Sequence, residues 1–160
     1  MKADVLESFF AKYYNDALLY SLSLTKDKAN AEEIVSTAFF KALHTADDDI
    51  RDFKPWLLTV CRNTYLSNCR KQSRYTELHD YLADDGEELL DRIIKDEEYK
   101  ALYHAIGQLA KEQTEVITLF YFENLSIRAI GEIMAKKETS VKVLLYRARE
   151  NLRKILEVRE

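Results

Sequence analysis

Turn-forming residues are scarce: three glycines and one proline serve a chain of 160 residues. A many-stranded sandwich or barrel needs such residues at its reversals, so an all-β fold is excluded. Long apolar runs are missing too. Stretches such as Leu119-Phe120-Tyr121-Phe122 are too short to span a membrane, and Met1-Lys2-Ala3-Asp4 leads into no apolar signal core, so a soluble, cytoplasmic protein is expected. The two cysteines, Cys61 and Cys69, lack CxxC spacing and a nearby histidine, which leaves two small buried thiols as the expectation rather than a disulfide framework or a metal site. His44, His79 and His104 are scattered without a Ser or Cys nucleophile at a suggestive spacing, and Gly86, Gly107 and Gly131 cannot make a phosphate-cradling loop. Glu32-Glu33 and Asp47-Asp48-Asp49 read as helix-end or solvent features before they read as cation ligands. No catalytic residue, cofactor, metal or small-molecule substrate is therefore expected, and the chain is not read as an enzyme.

What is present is charge, unevenly placed. The formal net charge is -4, which seems to argue against a nucleic-acid partner until it is divided along the chain. Between Glu77 and Glu98 stand ten acids against Arg92 and Lys95, a net of -8, so the remainder is net +4. Arg51 to Arg74 holds six basic residues against Asp52, and Lys136 to Lys154 holds seven against Glu138 and Glu150. The order is basic, acidic, basic.

Hydrophobic residues make up 47% of the chain, enough to bury one ordinary core or two small ones. Apolar recurrence at helical spacing predicts helices over 4–24, 27–45, 54–74, 95–106, 112–122, 126–134 and 139–157. Asp27 suits the cap of the second, whose Ala31, Val35, Ala38, Phe39 and Ala42 share a face, and Pro55 suits the first turn of the third. Around Asp84-Asp85-Gly86 the periodicity is weak, as at a domain boundary. The expected fold is all-α: two small helical domains, 1–74 and 96–160, joined by an acidic linker over 75–95.

Two stretches carry recognisable chemistry. In the second half, Ser126 can cap a short helix with Ile130, Ile133 and Met134 facing inward. A turn through Ala135, Lys136 and Lys137 follows, and then a helix with Val141, Leu145, Ala148 and Leu152 as its buried stripe. This is the layout of a helix-turn-helix, whose second helix enters the DNA major groove. Its other face offers Lys142, Val143, Tyr146, Arg147 and Arg149 to phosphates or base edges. Pattern alone leaves open a helical hairpin with a merely solvated basic face. In the first half, Phe53-Lys54-Pro55-Trp56 through Arg62-Asn63 and Arg70-Lys71 mixes aromatics with cations and an amide, as single-stranded nucleic acid requires. The spacing of Trp56, Leu57 and Val60 favours a core position for the tryptophan.

On these residues the chain resembles a bacterial RNA polymerase sigma factor of the extracytoplasmic-function group over nearly its whole length. Ala29 to Ala42 resembles that family's polymerase-binding helix, and Phe53 to Asn63 its promoter-melting helix. Ser140-Val141-Lys142 and Tyr146-Arg147-Ala148-Arg149 are similar to its recognition helix, within residues 102–154. The resemblance implies that Glu32, Glu33, Ser36, Thr37 and Phe40 bind core RNA polymerase. It implies that Phe53, Lys54, Trp56, Arg62, Asn63, Arg70 and Lys71, with the loop before Phe53, engage minus-ten DNA. It implies that Lys136, Lys137, Ser140, Lys142, Val143, Tyr146, Arg147 and Arg149 engage minus-thirty-five promoter DNA. It also implies an anti-sigma factor as partner, and an acidic linker lying in a polymerase channel built for nucleic acid. The chain differs from the family's usual residues at Ser36-Thr37, where Gln-Glu is common, at Asp47-Asp48-Asp49, at Ala135 in place of glycine, and at Val143-Leu144 in place of Ser-Arg. Two other readings are a sigma mimic that sequesters an anti-sigma factor, against which the basic recognition helix argues, and a free-standing helix-turn-helix regulator, which leaves the first half unexplained.

Overall fold

A computed structural model describes residues 2–45, 52–72, 82 and 84–158. Within them every regular element is helical: α1 Ala3–Thr25, α2 Lys28–Leu43, α3 Phe53–Gln72, α4 Asp84–Ile93, α5 Glu97–Ile106, α6 Lys111–Ile117, one π-helical turn Thr118–Phe122, α7 Ile127–Met134 and α8 Glu138–Val158. The chain divides into two compact units, Met1–Gly86 and Glu87–Glu160.

In the first unit the short α1–α2 corner is closed by local hydrogen bonds. Lys26 takes the left-handed conformation at φ 58°, and its N–H donates to the Leu22 carbonyl at 2.8 Å. Asp27 then caps α2, its Oδ1 accepting from the Asn30 N–H at 3.1 Å. α1 packs on both α2 and α3, and α2 on α3. Leu18, Leu22, Ile34, Val35, Ala38, Leu57 and Leu58 are withdrawn from solvent, each large side chain contributing roughly 1.5–3 kcal/mol through removal of apolar surface from water. The expected inward set on α2 is buried in full. Cys61 is buried as expected, but Cys69 is only half-buried because it falls nearer the exposed side of α3.

The second unit turns the chain by caps as well. Asp96 accepts from the N–H groups of Glu98 at 2.8 Å and Tyr99 at 3.2 Å to start α5. The Thr114 hydroxyl donates to the Ile106 carbonyl at 2.7 Å, tying α6 to the end of α5. Ser126 caps α7 by accepting from the Ala129 N–H at 3.1 Å. α8 packs on α5, α6 and α7, with Val141, Leu145 and Ala148 buried beneath it. Leu152, expected in the same stripe, is half-buried.

Two expectations are corrected. Residues 84–93, assigned to the linker, form α4, with Leu90 fully buried and Leu89 4% exposed; of the acids in this stretch Asp84, Asp85, Glu88 and Asp91 are exposed and Glu87 is half-buried, as on the outward side of an amphipathic helix. Lys100 joins α4 to α5, its Nζ lying 3.0 Å from Asp91 and 2.7 Å from Glu97, and these two carboxylates, through their hydrogen bonds, hold its ammonium above the ordinary lysine pKa. The helix expected over 112–122 is not uniform. After Ile117 it widens into the π-turn, in which the Glu123 N–H reaches the Thr118 carbonyl at 3.1 Å, five residues back.

Candidate functional site

The helix-turn-helix depends on a close approach. Ala135 ends α7 in the left-handed region at φ 55°, and the N–H groups of Ala135 and Lys136 both converge on the Gly131 carbonyl, the second at 2.9 Å. A Cβ on Gly131 would stand 2.8 Å from the Lys136 carbonyl oxygen, so glycine is what lets the turn fold back over α7. With α7 and α8 so joined, the buried Val141, Leu145 and Ala148 fix the rotation of α8.

At 3.6 residues per turn, that rotation aims Val143, 51% exposed, and Tyr146, 65% exposed, away from the core. Arg147 and then Ser140 lie beside Val143 on one side, while on the other Lys142 and Arg149 lie beyond Tyr146, about a quarter to a third of a turn from Val143, and all four are exposed. Among the described residues no carboxylate pairs with Lys142 or Arg147. Lys137 is exposed in the turn, whereas Lys136 is half-buried with its Nζ 3.1 Å from Glu112. Arg149 is held in place: its Nε donates to the Tyr121 hydroxyl at 2.7 Å, and its guanidinium carbon lies 5.2 Å from the Phe120 ring centre and 5.5 Å from that of Tyr121. Neither aromatic was assigned a role from sequence, because nothing in a four-residue apolar run marks a π-turn. An exposed helix of this width and charge fits a DNA major groove about 12 Å wide.

On α2, Glu33 and Ser36 are exposed, Glu32 and Thr37 half-buried, and Phe40 62% exposed. Glu32 lies 3.9 Å from Lys28 one turn earlier. This side of α2 therefore runs from polar side chains to an apolar tip. Phe40 meets the His44 ring edge-on at 4.5 Å, and the neighbouring Leu43, which sequence reasoning left out, is 44% exposed.

On α3 the expected DNA-facing set separates into surface and core. Phe53 is 3% exposed, stacked on Phe9 at 4.3 Å and close to Tyr13, Phe39 and Trp56. It is a core residue and leaves the set, since a ring enclosed by four others has no face for a base. Lys54 is engaged with Asp16 at 3.6 Å, its side chain 17% exposed. Trp56 and Arg62 are half-buried, while Asn63, Arg70 and Lys71 are exposed. Trp56, Asn63 and Arg70, spaced by seven residues, run along one side of the helix. Asp47-Asp48-Asp49, the rest of the loop before Asp52, and His79 lie outside the described residues.

No group of three or more His, Cys, Asp or Glu side chains among the described residues is arranged to hold a metal ion, and none of the described helices is long and apolar enough to cross a membrane.

Comparison with known proteins agrees with this geometry in both halves. Residues 9–75 match the family model "Sigma-70 region 2", and residues 99–152 match "Sigma-70, region 4". The ECF RNA polymerase sigma factor SigM of Bacillus subtilis is 28% identical over 154 residues, covering 92% of this chain and 93% of SigM. The ECF RNA polymerase sigma factor BldN of Streptomyces coelicolor is 28% identical over 162 residues, covering 97% of this chain and 61% of BldN. Among solved structures, the sigma factor RpoE of Bartonella quintana, crystallised with the anti-sigma factor NepR, has the same fold with a TM-score of 0.68 at 22% identity, over 96% of this chain and 99% of that one. With both regions present, in order, and together covering most of its length, the chain belongs to the sigma-70 family and, within it, to the extracytoplasmic-function group.

Proposed function

We propose that the chain binds core RNA polymerase and directs it to specific promoters, the first unit docking on the polymerase and engaging the minus-ten element and the second reading minus-thirty-five duplex DNA. One observation carries the reading: a region 2 and a region 4 follow one another in a single chain, and the outward face of α8 in the second is basic. A free-standing helix-turn-helix regulator would have no use for the first of these.

The division of labour follows from the exposed residues. Glu33, Ser36 and Phe40, with Glu32 and Thr37 beside them, form the polymerase-facing side of α2, to which Leu43 adds apolar area. Trp56, Asn63, Arg70 and Lys71 offer a ring edge, an amide and two cations for an unpaired base and its backbone. Lys137, Ser140, Lys142, Val143, Tyr146, Arg147 and Arg149 face the upstream duplex. In this reading Val143 supplies apolar contact of the kind a thymine methyl accepts. The chain performs no catalysis of its own, since bond formation belongs to the polymerase, and it works in the cytoplasm, where polymerase and promoter are. An anti-sigma factor is a proposed partner, supported by the complex in which RpoE, of the same fold, was crystallised.

The test is reconstitution. The purified chain should co-elute with core polymerase and support initiation from promoters selected out of a randomised library. Co-elution without promoter-dependent initiation would favour a sequestering mimic, and promoter binding without co-elution would favour an independent regulator.

A further inference from the structure

Arg149 is restrained on three sides before any nucleic acid arrives. The Tyr121 hydroxyl accepts from its Nε at 2.7 Å, and the rings of Phe120 and Tyr121 lie 5.2 and 5.5 Å from its guanidinium carbon. These contacts leave the two terminal amino groups, Nη1 and Nη2, with their donors available, and both Arg149 and Tyr121 are exposed, the latter to 47%. Such an arrangement suits an anion approached in a fixed direction: a planar fork with its back against rings and one edge tied, so that binding orders no flexible chain.

The position of Arg149 says which anion. Lys142, Tyr146 and Arg149 follow one another at four and three residues, making an exposed stripe along one flank of α8, with Val143 at the centre of its outward face. When a helix lies in a major groove with that centre towards the base edges, its flanks face the sugar-phosphate strands. We propose, resting on the promoter-directing function above, that Arg149 contacts a backbone phosphate of the upstream duplex and does not read a base, and that Tyr121, carried by the π-turn before α7, is the positioning residue that holds it there. The support of the DNA-contacting surface then extends past the helix-turn-helix to the Thr118–Phe122 turn.

The experiment measures promoter-duplex affinity of holoenzyme, assembled from core polymerase and the full chain, across a potassium chloride series. Arg149→Ala should weaken every promoter by the same factor and reduce the slope of log affinity against log salt by about 0.9, the share of one phosphate contact. Arg149→Lys and Tyr121→Phe should keep the wild-type slope, since the charge remains, yet weaken binding severalfold, and Tyr121→Phe should add nothing in the Arg149→Ala background. An unchanged slope in Arg149→Ala overturns the phosphate contact. A loss confined to one base pair in a promoter library would make Arg149 a base reader and overturn the assignment. Weaker binding to core alone, with the DNA slope intact, would give Arg149 to an acidic protein surface instead. If Tyr121→Phe is additive with Arg149→Ala, Tyr121 does not act through the arginine. Wild-type holoenzyme that shows no promoter preference overturns the function itself, whereas a wild-type preference insensitive to all three variants overturns this proposal alone.

Discussion

The Lys136 carbonyl closes over Gly131 so tightly that a methyl group on the glycine would come within 2.8 Å of its oxygen. The obstacle is backbone and cannot rotate away, so Gly131→Ala must push α7 and the turn apart. Overpacking of this kind costs about 1–3 kcal/mol. Thermal unfolding should show a lowered midpoint for the second unit, with minus-thirty-five binding weakened further because α8 is displaced. A variant as stable as the wild type would mean that the turn opens freely.

Ala135 poses the reverse case. It sits at φ 55° with a side chain that disfavours this conformation by about 1–2 kcal/mol, while glycine there would lose about 0.4–1 kcal/mol through greater freedom in the unfolded chain. Ala135→Gly should therefore stabilise the second unit by up to about 1.6 kcal/mol, read as a rise in midpoint with promoter preference unchanged.

Phe53 and Asn63 separate the core of α3 from its surface. Phe53→Ala removes the ring stacked on Phe9 and tilted against Trp56 and should cost about 3–5 kcal/mol. Asn63→Ala alters an exposed side chain and should leave the melting curve within about 0.5 kcal/mol of wild type, while reducing permanganate-reactive open complexes on a recognised promoter.

Caps and periodic faces made most of the fold legible, because they are local: Asp27 and Ser126 each accept from a backbone N–H three residues on, and Ala31, Val35 and Ala38 show their burial by spacing alone. Phe53 reads as a surface residue from sequence because its neighbours Lys54 and Trp56 lie at or near the surface, whereas what encloses it comes from Phe9, Tyr13 and Phe39 on two other helices. α4 was hidden by its own charge: five acids between Asp84 and Asp91 read as a solvated tether, though Leu89 and Leu90 had the adjacency of a helix with one buried edge. Leu90→Ala should cost about 2–5 kcal/mol, a loss that an unstructured linker would not register.

The side of α2 proposed to face the polymerase has two chemistries that mutation can tell apart. Reversing both Glu32 and Glu33 to lysine should weaken co-elution with core, more so at low salt, with helical circular dichroism unchanged. Phe40→Ala, at a side chain 62% exposed, should weaken it independently of salt. Unaltered co-elution in both would remove α2 from the interface.

On the recognition helix, Arg147→Ala should cost roughly 1–3 kcal/mol and relax the preference at one upstream base pair if its guanidinium meets a guanine edge. Lys142→Ala should weaken all promoters alike and lower the salt slope by about one. A promoter-library selection in which Arg147→Ala keeps the wild-type preference at every position would remove it from base readout.

The π-turn at Thr118–Phe122 also bears on chain length. A wider turn of this kind accommodates one residue beyond the α-helical count within an otherwise regular helix. A relative shorter by one residue here can therefore keep the same helix-turn-helix, with α6 running straight, but it loses the slack that turns two consecutive rings, Phe120 and Tyr121, towards one arginine on α8. A single-residue gap at this point in a comparison of relatives thus marks which of them can hold that arginine against paired aromatics and which must leave it loose.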